Sequence, residues 1–394
     1  MDAYVFDWAG LLVRWVHVIT GVAWIGASFY FIWLDNHLRA PVDAALASRG
    51  VGGELWAVHG GGFYNAHKYR GAPPAMPATL HWFKWEAYST LLSGLALLGL
   101  VYYANAQAYL VDPAVMPLAS PAAIGIGIAT LVLGWLVYDG LCRSALARND
   151  RMLVAVLASL FAAAAYGLCH VFSGRAAFLH FGAMLGTIMV LNVYAVIIPG
   201  QRAMVESAAA GRPIDPAHGL RGKQRSVHNT YFTLPVLFAM ISNHSAFLYG
   251  ARHNWLVLLA ISFAGALVRV FFVARHKGAA SPVPLVVAGL LLLGVAVALA
   301  PVPTDASRAA QAAARVDGIV QARCTPCHSA APAMAGFTAA PKGLVLDAHA
   351  QVVANAARMR EQVATRAMPL GNLTHMTDDE RQALLDGLAA NAVP

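Results

Sequence analysis

Residues 282–328, PVPLVVAGLLLLGVAVALAPVPTDASRAAQAAARVDGIVQARCTPCH, decide how this chain is built. From 282 to 301 there is no charged side chain, over a length that lets a helix cross the hydrocarbon core of a bilayer at about 1.5 Å per residue. Pro301 then opens an Ala/Pro-rich stretch that ends at Cys324-Thr325-Pro326-Cys327-His328. The change divides the chain into a membrane region (1–301), a linker (302–315) and a small helical domain (316–394).

The composition upstream agrees. Of 394 residues, 59% are apolar or aromatic and 12% charged, against roughly a quarter charged in soluble domains. Lipid, not water, must solvate most of such a chain. Apolar segments near 9–34, 82–104, 120–141, 150–170, 175–198, 230–249 and 254–273 join 282–301 to give eight expected spans. The net charge of +8 sits in short loops, which membrane insertion produces, and nucleic acid is excluded as a partner. Basic residues concentrate after alternate spans: Arg39, Arg49, Lys68 and Arg70; Arg143 and Arg148; Arg202, Arg212, Arg221, Lys223 and Arg225; Arg275 and Lys277. The opposite loops offer only Arg175 and Arg252. Basic loops stay in the cytoplasm, so both termini are expected outside. The N-terminal MDAYVFD has two acids and no basic residue, the wrong charge for a signal peptide.

Cys324-x-x-Cys327-His328 is the attachment signature of a c-type haem. Two thiols three residues apart can each bond one vinyl group of a porphyrin, and the adjacent His328 then lies under the iron. A thioredoxin-like dithiol would need a βαβ context, and zinc a second ligand pair; neither is present. Methionine as sixth ligand raises the potential of such haems. Met368 precedes Pro369, where the backbone cannot stay helical, so its side chain is the expected ligand, with Met376 next. Met334 is too near the haem turn, and Met359 sits within a predicted helix. The fold class is therefore all-α: an eight-helix transmembrane bundle followed by a class I-like cytochrome c domain. Thr377, followed by acids through Glu380, caps its last helix. Cys142 and Cys169, alone in apolar stretches, read as buried inert thiols.

Ionisable groups inside spans are costly and mark candidate sites. Arg14, His17, His170, His180 and His244 fall in the outer half. Two of His17, His180 and His244 are candidates to ligate a b-type haem, with Arg14 or Arg175 beside its propionates; interhelical hydrogen bonds are the alternative. His81, Lys84, Glu86, Asp139, His228, Asn229 and Arg269 fall in the inner half. The first cytoplasmic loop with the start of the second span, residues 52–88, combines Gly, aromatics, His59, His67 and cations. It reads as a flexible surface for a flat anion or as an interfacial aromatic belt.

RWVHVITGVAWIGASFYF (14–31), GELWAVHGGGFY (53–64), LHWFKWEAY (80–88) and HNTYFTLPVLFAMISNH (228–244), with the terminal C-x-x-C-H, resemble the bacterial membrane-bound urate oxidase (urate hydroxylase) family. The resemblance covers essentially the whole chain. It implies an inner-membrane enzyme with a periplasmic cytochrome c that oxidises urate to 5-hydroxyisourate. Electrons would pass to the cytochrome and then to a respiratory acceptor, such as a soluble cytochrome c or terminal oxidase. On that reading urate arrives from the cytoplasm, His228, Glu86 and His81 are candidate bases, and Lys84 holds the anion. A haem b would carry electrons across the bilayer. Without the resemblance, a quinol-oxidising cytochrome b/c conduit serving another dehydrogenase fits the same motifs, and a transporter with a redox appendage is a third reading.

Overall fold

A chain in lipid must close its backbone hydrogen bonds within itself, and a helix does so locally. The computed structural model, which describes residues 2–279, 281–300 and 315–390, is mostly helical. Its long helices are α1 (Asp2–His37), α2 (Trp85–Leu97, prolonged by a π-helical turn Leu98–Tyr103), α3 (Ser120–Arg143), α4 (Asp150–Cys169) and α5 (Gly174–Asn192). A π-helical turn at Val193–Ile197 joins α5 to α6 (Ile198–Ala209), and α7 (Pro216–Ile241), α8 (Asn254–His276) and α9 (Val283–Ala298) follow. Among the described residues five helices are long and apolar enough to cross a membrane: Tyr4–His37, α3, α4, Gly174–Ala209 and α8. The other three long segments fall short on those measures. The π-turn interrupts the second, the N-terminal half of α7 is polar, and α9 is short.

The expected segment 230–249 is displaced. Asp215 accepts a hydrogen bond from the Ala217 amide at 2.9 Å, and Pro216 fills the first helical position, where its missing N–H costs nothing. The helix therefore starts at Pro216 and stops at Ile241, where a 3₁₀ turn, Ser242–His244, takes over.

Helix α5 is the axis of the bundle. Phe178, His180, Leu185 and Ile188 on it are buried, because α3, α4 and α7 pack on its successive faces. Helix α1 lies at the edge against α2 and exposes Trp15 and Val22 at 63% and 66%. Apolar side chains so exposed suit lipid and not water.

The loop after α1 is ordered. Strands β1 (Val51–His59) and β2 (Gly62–Tyr69) pair antiparallel, with His59 opposite Gly62 and Trp56 opposite Asn65. Gly60 and Gly61, both at positive φ, make the two-residue turn whose twist matches a hairpin. This corrects the expectation of a flexible loop.

The tail carries α10 (Val316–Arg323), α11 (His349–Ala354), α12 (Ala356–Ala364) and α13 (Asp378–Ala390) around Val316, Val320, Leu346, Val352, Leu384 and Leu388. The single helix expected over about 347–365 is broken at Asn355, whose side-chain amide turns back to the Gln351 carbonyl at 2.8 Å. At the start of α13 the Thr377 hydroxyl accepts from the Glu380 amide at 3.2 Å and Glu380 accepts from the Thr377 amide at 2.9 Å. This is the reciprocal cap the sequence anticipates. Residues 302–314 of the linker lie outside the described residues.

Candidate functional site

The turn that ends α10 carries Cys324, Cys327 and His328 to one wall of an apolar cavity of about 220 Å³, and the loop after α12 carries Met368 to its lining as well. Leu344, Leu346, Phe337 and Val363 fill in the lining, while Arg323, Lys342 and Arg358 also border it. His328 Nδ1 donates to the Leu344 carbonyl at 3.0 Å. That bond fixes the ring and leaves Nε2 as the nitrogen available to a metal, the usual arrangement of a ligating histidine. Burial, then the neighbouring Cys327, pushes the Cys324 thiol up to about 12, and burial raises Cys327 too. A redox dithiol needs a depressed thiol pKa, so the pair does not suit that use. The donor set, the apolar lining and the bordering cations fit a covalently held haem. Met376 and Met359 line the same cavity, but both are buried in the tail's core; Met368 is not, and it sits on the loop.

A second cavity, of about 390 Å³, lies where residues 366–372 of the tail meet 108–115, 169–175 and 249–255 of the N-terminal region. Pro369 and Leu370 belong to the walls of both cavities.

His180 is fully buried. Its Nδ1 donates to the Ala176 carbonyl at 2.8 Å, and its Nε2 accepts from Tyr103 Oη at 3.2 Å. The ring lies between those of Phe172 and Tyr103 and over Gly127, where a Cβ would come within 2.6 Å of Nε2. His17 Nδ1 is shared between the Thr90 carbonyl and Ser93 Oγ, each at 3.1 Å. His244 and Arg14 are exposed. His180 has no free ring nitrogen, and the three histidines share none of the cavities described here. As placed they do not fit a bis-histidine haem b, and no step is derived through one.

At the other end of the bundle the structure gathers a polar network. Asn192 on α5 donates to Tyr138 Oη at 3.1 Å and to Asn229 Oδ1 at 2.8 Å. Tyr138 meets His228 Nδ1 at 2.8 Å, and Asn229 donates to the Met189 carbonyl at 3.0 Å. Arg225 reaches Asp139 at 2.7 Å and lies over the Tyr138 ring. Glu86 and His81 stand apart from this network, 4.0 Å from each other at the start of α2, with Lys84 over Trp85. The sequence singles out Asp139, His228 and Asn229 but misses Tyr138, Asn192 and the role of Arg225. The available signal was spacing: Arg225, His228 and Asn229 fall at i, i+3 and i+4, one face of a helix.

Fold and site together define a mostly helical protein whose exterior suits lipid and whose tail has a cavity fit for a c-type haem. The chain belongs to the urate oxidase N-terminal family, whose model matches residues 3–300. No curated protein and no solved structure matches it. Membership points to oxidoreductase chemistry on urate.

Proposed function

We propose that the chain is a membrane-bound urate oxidase with eight spans. It oxidises urate to 5-hydroxyisourate and delivers the electrons to a c-type haem held by the tail on the periplasmic side of the inner membrane. The observation that carries the reading is the joining, in one chain, of the family match over 3–300 to a cavity lined by Cys324, Cys327, His328 and Met368. Urate monoanion and water give 5-hydroxyisourate, one proton and two electrons, with a new bond between C5 and the water oxygen. Haem bound in the tail supplies a one-electron acceptor, and a respiratory acceptor downstream restores it.

The chain's own residues have defined parts. Cys324 and Cys327 would anchor the group, and His328, fixed through Nδ1, would hold its iron through Nε2. Met368 would be the second side chain to hold it. The tail's apolar walls keep water from the ligands, which favours the reduced state. The test is anaerobic addition of urate to oxidised, detergent-purified protein while the haem α-band is recorded. Reduction of the c-type band that is lost in Met368→Ala and His328→Ala supports the reading. Reduction by a quinol analogue with no response to urate replaces it with the conduit.

A further inference from the structure

We propose that the cavity between the tail and the N-terminal region binds the planar oxopurine anion; the identity of that ligand rests on the function proposed above. The cavity draws its walls from both parts of the chain. Arg175 and Arg252 come from one side and Arg366 and Arg381 from the other, against Asp112 and Asp378, an excess of two positive charges. Arg366 is paired with Asp378 at 2.7 Å, and Arg175 donates only to the neutral Tyr249 hydroxyl, at 2.9 Å. Among the described residues Arg252 has no hydrogen-bond partner. Arginine's planar fork suits a flat ring edged with carbonyl oxygens, and Tyr109 and Trp255 add aromatic surface. Asp112 and Asn254 can accept from, or pair with, the ring N–H groups that a simple phosphate lacks.

Position decides between this cavity and the inner network. Pro369 and Leu370 alone are shared with the haem crevice, so a ring bound here would share a wall with the crevice of the group that takes its electrons. The inner network is remote. Gly174 lines the cavity and Asn192 lies in the network, at opposite ends of α5, which at 1.5 Å per residue puts them about 27 Å apart. Electron tunnelling falls steeply with distance, and His17, His180 and His244 as placed do not fit a haem b that would bridge it. The two parts are also closely docked. A Cβ on Gly371 would strike the Ala108 carbonyl, and one on Gly250 would come within 2.6 Å of the Thr365 carbonyl.

Binding is separated from oxidation by using dithionite-reduced holoprotein, which cannot accept electrons, and measuring urate binding by equilibrium dialysis. Arg252→Gln and Arg366→Gln, on opposite walls, are each expected to weaken binding about tenfold or more, the scale of one charge-assisted contact. Wild-type melting temperature and haem spectrum show that the variants are folded. If wild type binds urate and is reduced by it while both variants bind as wild type does, this site is overturned and the urate reading stands. If urate does not reduce the oxidised wild-type protein, the urate reading fails and takes this site with it. Displacement of urate by phosphatidylglycerol, with no effect of either substitution on urate bound in lipid-free detergent, assigns the arginines to a lipid headgroup and also overturns it.

Discussion

The buried Arg381 guanidinium donates from one nitrogen, Nη1, to the carbonyl of Met368 at 2.7 Å and to that of Val363 at 2.9 Å. One side chain on α13 therefore ties the ligand loop to the end of α12. Arg381→Leu leaves both carbonyls without that donor, at a cost of about 1–3 kcal/mol each where they stay dry. The loop should loosen, Met368 should leave the iron more readily, and the haem potential should fall, because methionine ligation raises it. A redox titration of the variant against wild type measures this; an unchanged potential would show that the loop holds without Arg381.

Arg323 grips Glu380 from Nε and Nη2, at 3.1 and 2.9 Å, and Glu380 also closes the cap of α13. These bonds, that with Arg323 first, hold the Glu380 carboxyl below its ordinary range. A depressed carboxylate contributes stability that is full above its unfolded pKa and is lost as pH falls through the folded one. Glu380→Gln should therefore melt below wild type at neutral pH, and the gap should close as pH drops below the carboxylate range. The pair is only partly exposed, its side chains at 26% and 22%, and solvent still screens it, so the effect should be about 1 kcal/mol. Melting curves at neutral and acidic pH decide it.

Features set by local chemistry were legible in the sequence. The C-x-x-C-H turn, the Thr377–Glu380 cap and the long apolar helices each depend on residues within a turn or two of one another. The hairpin was also legible in principle, since Gly60-Gly61 between aromatic-rich runs is a turn signal; the surrounding glycines masked it. Arg225 falls among the loop cations by composition, but the Asp215-Pro216 start of α7 puts it on the helix. The pairing of Asn192 with Tyr138 and Asn229 was not legible, because it depends on how three helices, α3, α5 and α7, rotate about their axes. Helical periodicity gives a face but not the neighbour it meets. The meeting of residues 366–372 with 108–115 is of the same kind, joining segments far apart in the chain.

Gly250 allows the tail to sit against the N-terminal region, and its backbone, at φ −83, accepts any side chain without strain. Gly250→Val should push the Thr365 carbonyl and Arg366 away, and it also crowds the Ala246 carbonyl on its own side, 2.8 Å from the new Cβ. The expected result is slower haem reduction by urate, by about tenfold, with an unchanged haem potential. Stopped-flow reduction together with a redox titration checks both halves. A wild-type rate would show that docking does not limit electron delivery.

Asn192 is fully buried and supplies both donors that connect α3 and α7 through α5. Asn192→Leu keeps the volume close to that of the amide but removes those donors, leaving Asn229 Oδ1 without a partner and the Tyr138 hydroxyl with His228 alone. Unpaired buried polar groups cost about 1–3 kcal/mol each, while the Asn192 Oδ1 itself has no partner to lose. The substitution should therefore lower the thermal stability of the bundle in detergent by several degrees and leave the haem spectrum and redox potential of the tail as they are. Differential scanning calorimetry beside the α-band separates the two. A variant as stable as wild type would mean that water replaces the amide, and that the inner network is open rather than closed. In that case Asn192→Asp should be tolerated as well, because a wet carboxylate bears little desolvation cost.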